Sequence, residues 1–117
     1  MMKLKQKLLN LMYLKYDIDI WKTELDESIE LLMNKCDKHQ KEKISEAQNE
    51  WEESLLLQME MEKEILFDDI GRGMIVKWLS KYKDEYRYRT FEIMYLSYYI
   101  DLWDIPKTQE TVLCLDR

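Results

Sequence analysis

Apolar residues recur at every seventh position from the start of the chain: Leu4, Leu11, Ile18, Leu25 and Leu32. Leu8, Ile29 and Cys36 partly fill the companion positions, and Lys15 and Lys22 interrupt them. An apolar repeat of seven held over this length predicts a helix over about 2–34. Asp17 or Asp19 offers a cap at which that helix could divide in two. Asn34 to Gln40 holds no apolar residue except Cys36 and reads as a connection. A second helix is expected over about 41–67, with Ile44, Ala47, Gln48, Trp51, Leu55, Met59, Glu62 and Leu66 along one side at spacings of three and four. Asp68 to Gly73 contains both glycines of the chain and reads as its one clear turn. The third helix, expected over about 74–103, carries Ile75, Leu79, Tyr82, Tyr86, Arg89, Ile93, Leu96 and Ile100, and Pro106 stops it.

These elements predict an all-α fold: an antiparallel bundle or hairpin of three long helices. Residues 1–106 form one domain, followed by a short tail over 107–117. The tail includes Val112-Leu113-Cys114-Leu115 and is expected to pack against the bundle. With two Gly and one Pro in 117 residues, the chain has few places to reverse, which disfavours a sheet of many hairpins. The length allows one modest core.

Net charge is −6, so indiscriminate attraction to nucleic acid or anionic lipid is not expected. The charge is segregated along the chain. Residues 1–23 hold five Lys against Asp17 and Asp19, residues 42–69 hold ten carboxylates against Lys43 and Lys63, and residues 72–89 hold six basic groups against Asp84 and Glu85. Antiparallel packing could satisfy these blocks internally. Two cysteines, Cys36 and Cys114, are too few for a disulfide framework, and whether they pair is open. The first fourteen residues read poorly as a signal peptide and are too interrupted to span a membrane. As written, the chain is expected to be cytoplasmic, and extracytoplasmic only if a leader was removed.

Gln48 and Arg89 sit where the helical period favours apolar residues. Either Arg89 snorkels at the surface, or Gln48 or a carboxylate such as Glu92 or Asp26 ties it down and sets the helix register.

The same region carries a family resemblance. Leu25-Asp26-Glu27, Leu31-Leu32 and Ala47-Gln48-Asn49-Glu50-Trp51, followed by Gly73-Met74-Ile75 and Arg87-Tyr88-Arg89-Thr90-Phe91-Glu92, resemble the lysozyme-inhibitor LprI-type domain over about residues 24–97. The resemblance implies a helical fold, a binding role and structural parts for Gln48, Trp51 and Arg89. The family usually carries a leader, extra cysteines and an arginine shortly after the tryptophan. Here Glu52-Glu53-Ser54-Leu55 follows Trp51.

Catalytic chemistry finds little to use. The single histidine, His39, lies in a charged stretch, no Glu-x-x-His is present, and Gly71-Arg72-Gly73 lacks the lysine and spacing of a phosphate loop. No enzyme activity, metal or cofactor is expected. Two surfaces stand out instead. Glu46, Glu50, Glu53, Glu60 and Glu64 fall on one side of the second helix, as a solvated face or as a steering surface for a basic partner. Phe91, Tyr95, Tyr98 and Leu102 form a stripe nearly opposite Ile93 and Ile100, widened by Tyr99 and Trp103. A helix apolar on two sides is either sandwiched in a bundle or exposes an interface. The expected function is a protein-binding inhibitor or immunity-type module, with a protein partner and no direct nucleic-acid or membrane binding. Two alternatives stand beside it. One is a homodimeric structural protein associating through the first helix's seven-residue stripe and the aromatic end of the third. The other is an acidic antagonist of a nucleic-acid-binding enzyme, such as a phage anti-defence protein.

Overall fold

The computed structural model describes residues 2–66 and 72–104, which form three α-helices: α1 (Met2–Met33), α2 (Lys38–Leu66) and α3 (Arg72–Asp104). Among the described residues there is no strand. α1 is continuous through Asp17 and Asp19, so neither acts as an internal cap. The turn residues 67–71, the tail 107–117 with Cys114, and the stop at Pro106 lie outside the described residues.

α2 begins three residues earlier than its apolar pattern suggests, and the cause is local. Asp37 Oδ1 accepts the Gln40 amide at 2.8 Å, while Gln40 Oε1 accepts the Asp37 amide at 2.9 Å. This reciprocal capping box satisfies two amide donors at the helix start and lets the polar stretch Lys38–Lys43 be helical. Just before it, Lys35 and Cys36 donate their amides three residues back, to Leu32 and Met33, at 3.0 Å each. These tight turns reverse the chain with no residue at positive φ. α3 likewise starts at Arg72, so Gly73 lies inside the helix rather than in the turn.

Cross-helix contacts fix the directions. Trp21 meets Phe91 and Lys35 meets Asp101, so α1 and α3 run parallel. Gln48 meets Arg89, Trp51 meets Tyr86, and Glu62 meets Tyr82, so α2 runs antiparallel to α3. The backbones of α1 and α3 approach each other most closely. Thr90 is fully buried and Ser28 nearly so, and such small side chains permit that approach. Thr90 Oγ1 returns its hydrogen bond to the Tyr86 carbonyl at 2.7 Å.

The core is a line along the bundle rather than a ball: Ile18, Leu25 and Leu32 from α1, Leu55 from α2, and Tyr82, Tyr86 and Ile93 from α3. Fully burying such a side chain contributes about 1.5–3 kcal/mol. The molecule measures 68 × 26 × 22 Å, with a radius of gyration of 19.7 Å against about 13 Å for a compact domain of this length. Its narrow dimensions are about two helix diameters, so every helix keeps a wide outer face. Ala47 and Leu96, both expected on inner stripes, are exposed. Leu96 lies seven residues beyond Arg89 and Lys41 seven before Gln48, so the register sets Leu96 against the all-polar first turns of α2, which offer it no apolar cover.

Candidate protein-binding surfaces

Each expected site residue falls into one of two groups, outward or inward. Glu46, Glu50, Glu53, Glu60 and Glu64 are all exposed on the outer face of α2. The expected internal neutralisation does not reach them: the ion pair made by this row among the described residues is Lys43–Glu46, three residues apart on the same helix at 3.6 Å. An exposed pair of that kind is worth only a few tenths of a kcal/mol. Leu57, 67% exposed, completes the row between Glu53 and Glu60, and Met61, 49% exposed, lies beside it. The acidic face thus has an apolar centre. An open groove of about 640 Å³ borders it, lined by Glu53, Leu56, Leu57, Met59, Glu60, Lys63 and Trp78. Position 57 continues the row's spacing of four and three, so the periodicity that marks the glutamates also marks Leu57 as their neighbour.

Among the described residues, the acidic segment's one cross-helix ion pair is made by a different residue, Glu62, with Lys81. Glu62 faces inward and accepts hydrogen bonds from Tyr82 Oη at 2.6 Å, from Gln58 at 2.8 Å and from the Lys81 ammonium. Burial works to raise its pKa. The hydrogen bonds from Lys81, Tyr82 and Gln58, with the Lys81 charge, outweigh burial and hold the carboxyl at about 2. Burial and the same carboxylate push the Tyr82 hydroxyl well above the ordinary tyrosine range. This cluster is a structural clasp between α2 and α3.

Arg89 is tied down as the sharper of the two sequence readings required. Its Nε donates to Gln48 Oε1 at 3.0 Å, its guanidinium lies 5.6 Å from the Trp51 ring centre, and Glu92 sits 3.8 Å away on the same helix. Trp51 in turn meets Tyr86 edge-on at 5.5 Å. Gln48, Trp51 and Arg89 therefore belong to the seam between α2 and α3.

The aromatic end of α3 faces solvent. Phe91, Tyr95, Tyr98, Tyr99 and Trp103 are each between 41% and 59% exposed. Tyr95 and Tyr99 pack edge to face at 4.6 Å with their hydroxyls 3.0 Å apart, and Phe91 leans on Trp21 of α1 at 5.6 Å. By contrast, Ile18, Leu25 and Leu32 of the seven-residue stripe of α1 are buried inside the monomer, while Leu11 stays partly exposed. The outer side of α1 carries a stripe the sequence reading passed over: Leu9, Tyr13, Tyr16 and Ile20, from 40% to 64% exposed.

Among the described residues no group of three His, Cys, Asp or Glu is placed to hold a metal ion, and His39 is exposed at the start of α2. No described helix is long and apolar enough to cross a membrane. Compared with protein-family models, with curated proteins and with solved structures, the chain matches none, so the likeness to the LprI-type domain rests on the short motifs of residues 24–97 alone.

Proposed function

We propose that this chain is a non-enzymatic module that binds a basic protein and occludes it, in the manner of an inhibitor or immunity protein. The observation that carries this reading is the outer face of α2: five exposed carboxylates in one row, with no cross-helix ion pair among the described residues, Leu57 within the row and Met61 beside it. Charge of one sign steers a basic partner into encounter, and an apolar centre supplies affinity once water is expelled. The LprI-like motifs support inhibition as the form of that binding.

The test uses the triple variant Glu46→Gln, Glu50→Gln and Glu53→Gln, which removes three charges without disturbing buried groups. A c-type lysozyme, a defined basic enzyme, is the first probe, and proteins captured from the native cell are the second. Wild type should bind with an association rate that falls steeply with salt, and the triple variant should bind more slowly with a flatter salt dependence. A partner held equally by both proteins removes the acidic face from the contact. If DNA displaces the protein from a captured nucleic-acid enzyme, the antagonist reading takes its place.

A further inference from the structure

Two sets of the apolar side chains left outside the monomer, one on α1 and one on α3, follow the same pattern. On α1 they are Leu9, Tyr13, Tyr16 and Ile20; on α3 they are Phe91, Tyr95, Tyr98 and Leu102, all between 40% and 64% exposed. Both sets are spaced four, three and four. Each pair brackets a residue of the inner stripe by two positions: Leu11, Ile18, Ile93 and Ile100. Two residues turn a helix by about 200°, so both stripes point away from the core. The Phe91–Trp21 contact places the α3 stripe beside α1, which joins the two into one α1/α3 face. Because α1 and α3 are parallel, the stripes lie at opposite ends of that face.

Charge has the same polarity on both helices. Residues 1–23 hold five Lys against two Asp, while Glu24, Asp26, Glu27 and Glu30 give residues 24–33 four negative charges and no positive one. In α3, residues 72–89 hold six basic groups against two acidic, and residues 90–104 hold Glu92, Asp101 and Asp104 with no basic group. The α1/α3 layer is therefore basic at one end and acidic at the other.

We infer that a second copy of this chain covers the α1/α3 face, related by a two-fold axis perpendicular to the helices. That operation sets the basic end of each copy against the acidic end of the other. It stacks α1 of each copy antiparallel on α1 of the other and α3 on α3. It also brings the α1 stripe of each copy to the level of the other's α3 stripe, Tyr13 level with Tyr98 and Tyr16 with Tyr95, so that the two stripes meet diagonally across the interface. Every contact is made twice, as an isologous interface requires. A stable dimer buries roughly 800 Å² on each partner, and eight large side chains at this exposure, four of them tyrosines, are the material for such an area. No other copy is needed, because the operation closes on itself. The arrangement does not depend on the acidic row of α2, which packs against a different side of α3.

Sedimentation equilibrium of the full chain should give twice the 14.5 kDa monomer mass, with dissociation promoted by salt. Tyr16→Glu and Tyr98→Glu, each on an exposed site, should weaken the dimer at least tenfold while circular dichroism stays unchanged. An Ile20→Cys chain, with Cys36 and Cys114 changed to Ser, should link to itself under mild oxidant, because Ile20 is exposed beside the Trp21–Phe91 level where the axis crosses α1, while a Tyr13→Cys chain should not. A monomer at all concentrations overturns the inference. A dimer indifferent to both glutamates, or one linking Tyr13→Cys to itself, overturns the geometry. The Glu46/Glu50/Glu53 triple variant should leave the dimer intact, so loss of partner binding and loss of self-association are read separately.

Discussion

Arg89 of α3 donates through Nε to the side-chain oxygen of Gln48 on α2 at 3.0 Å, and the Arg89 side chain is only 17% exposed. The pair joins two helices whose backbones stay well apart. It replaces an apolar contact with a directional one, which selects a single register. A one-turn slip of α2 along α3 would leave the guanidinium half-buried without that acceptor. Gln48→Ala should therefore destabilise the protein by about 1–3 kcal/mol, the cost of stranding a buried donor. The double variant Gln48→Leu with Arg89→Met should recover most of that loss, because both partners are then apolar. Urea unfolding of Gln48→Leu, Arg89→Met and the double variant checks this. Additive losses would show that the two residues do not act as a pair.

Acid should loosen the clasp between α2 and α3. The Glu62 carboxyl is held at about 2 in the folded protein against 4.5 for an ordinary glutamate. The unfolded chain therefore binds the proton more tightly. The stabilisation from Glu62 is fully present above about pH 4.5 and is lost as pH falls from 4.5 towards 2. Glu62→Gln should be less stable than wild type at pH 7, and the gap should narrow across that window. Urea midpoints of both proteins at pH 7, 4 and 3 test this, and a gap constant with pH would show that the Glu62 charge contributes nothing.

The start of α2 depends on a single carboxylate. Asp37→Ala should cost about 0.5–2 kcal/mol, with Asp37→Asn or Asp37→Ser keeping most of the stability, since both can accept the Gln40 amide. Thermal melts followed by circular dichroism distinguish them. Equal losses for Ala and Asn would point to the Asp37 charge rather than the cap.

Thr90 tests the close approach of α1 and α3. It is fully buried, and Thr90→Leu adds volume where the two backbones come nearest, so it should cost about 1–3 kcal/mol by overpacking. Leu96→Thr, on the same helix but exposed, should change stability by less than about 0.5 kcal/mol. Denaturant unfolding compares them, and a neutral Thr90→Leu would mean that the α1/α3 seam has room to spare.

The periodic positions Ile18, Leu25, Leu32, Leu55, Tyr82, Tyr86 and Ile93 were legible in the chain alone, because a helix buries whatever recurs at its own period. The turn at 34–37 was less so. Its signal, an aspartate followed three residues later by a glutamine, was present in a stretch that otherwise looked like a connection. The polar residues Gln48 and Arg89 were recognisable as departures, but their partnership was one of several open to them.

Linear order determined that three long helices form, their bounds to within three residues, and which side of each is apolar. It could not determine which apolar side stays outside. Leu9 and Ile20 are as hydrophobic as the residues buried beside them, Tyr13 and Tyr16 are of the same type as the buried Tyr82 and Tyr86, and three helices laid side by side have too few neighbours to cover two opposite stripes. Packing made that choice. It closed α3 on α1 through Thr90 and Ser28, drew Glu62 inward to Tyr82 and Lys81, and left the glutamate row and the tyrosine stripes facing out. Burial of a given side chain depends on what the rest of the molecule brings to it, and that is settled only when the helices meet.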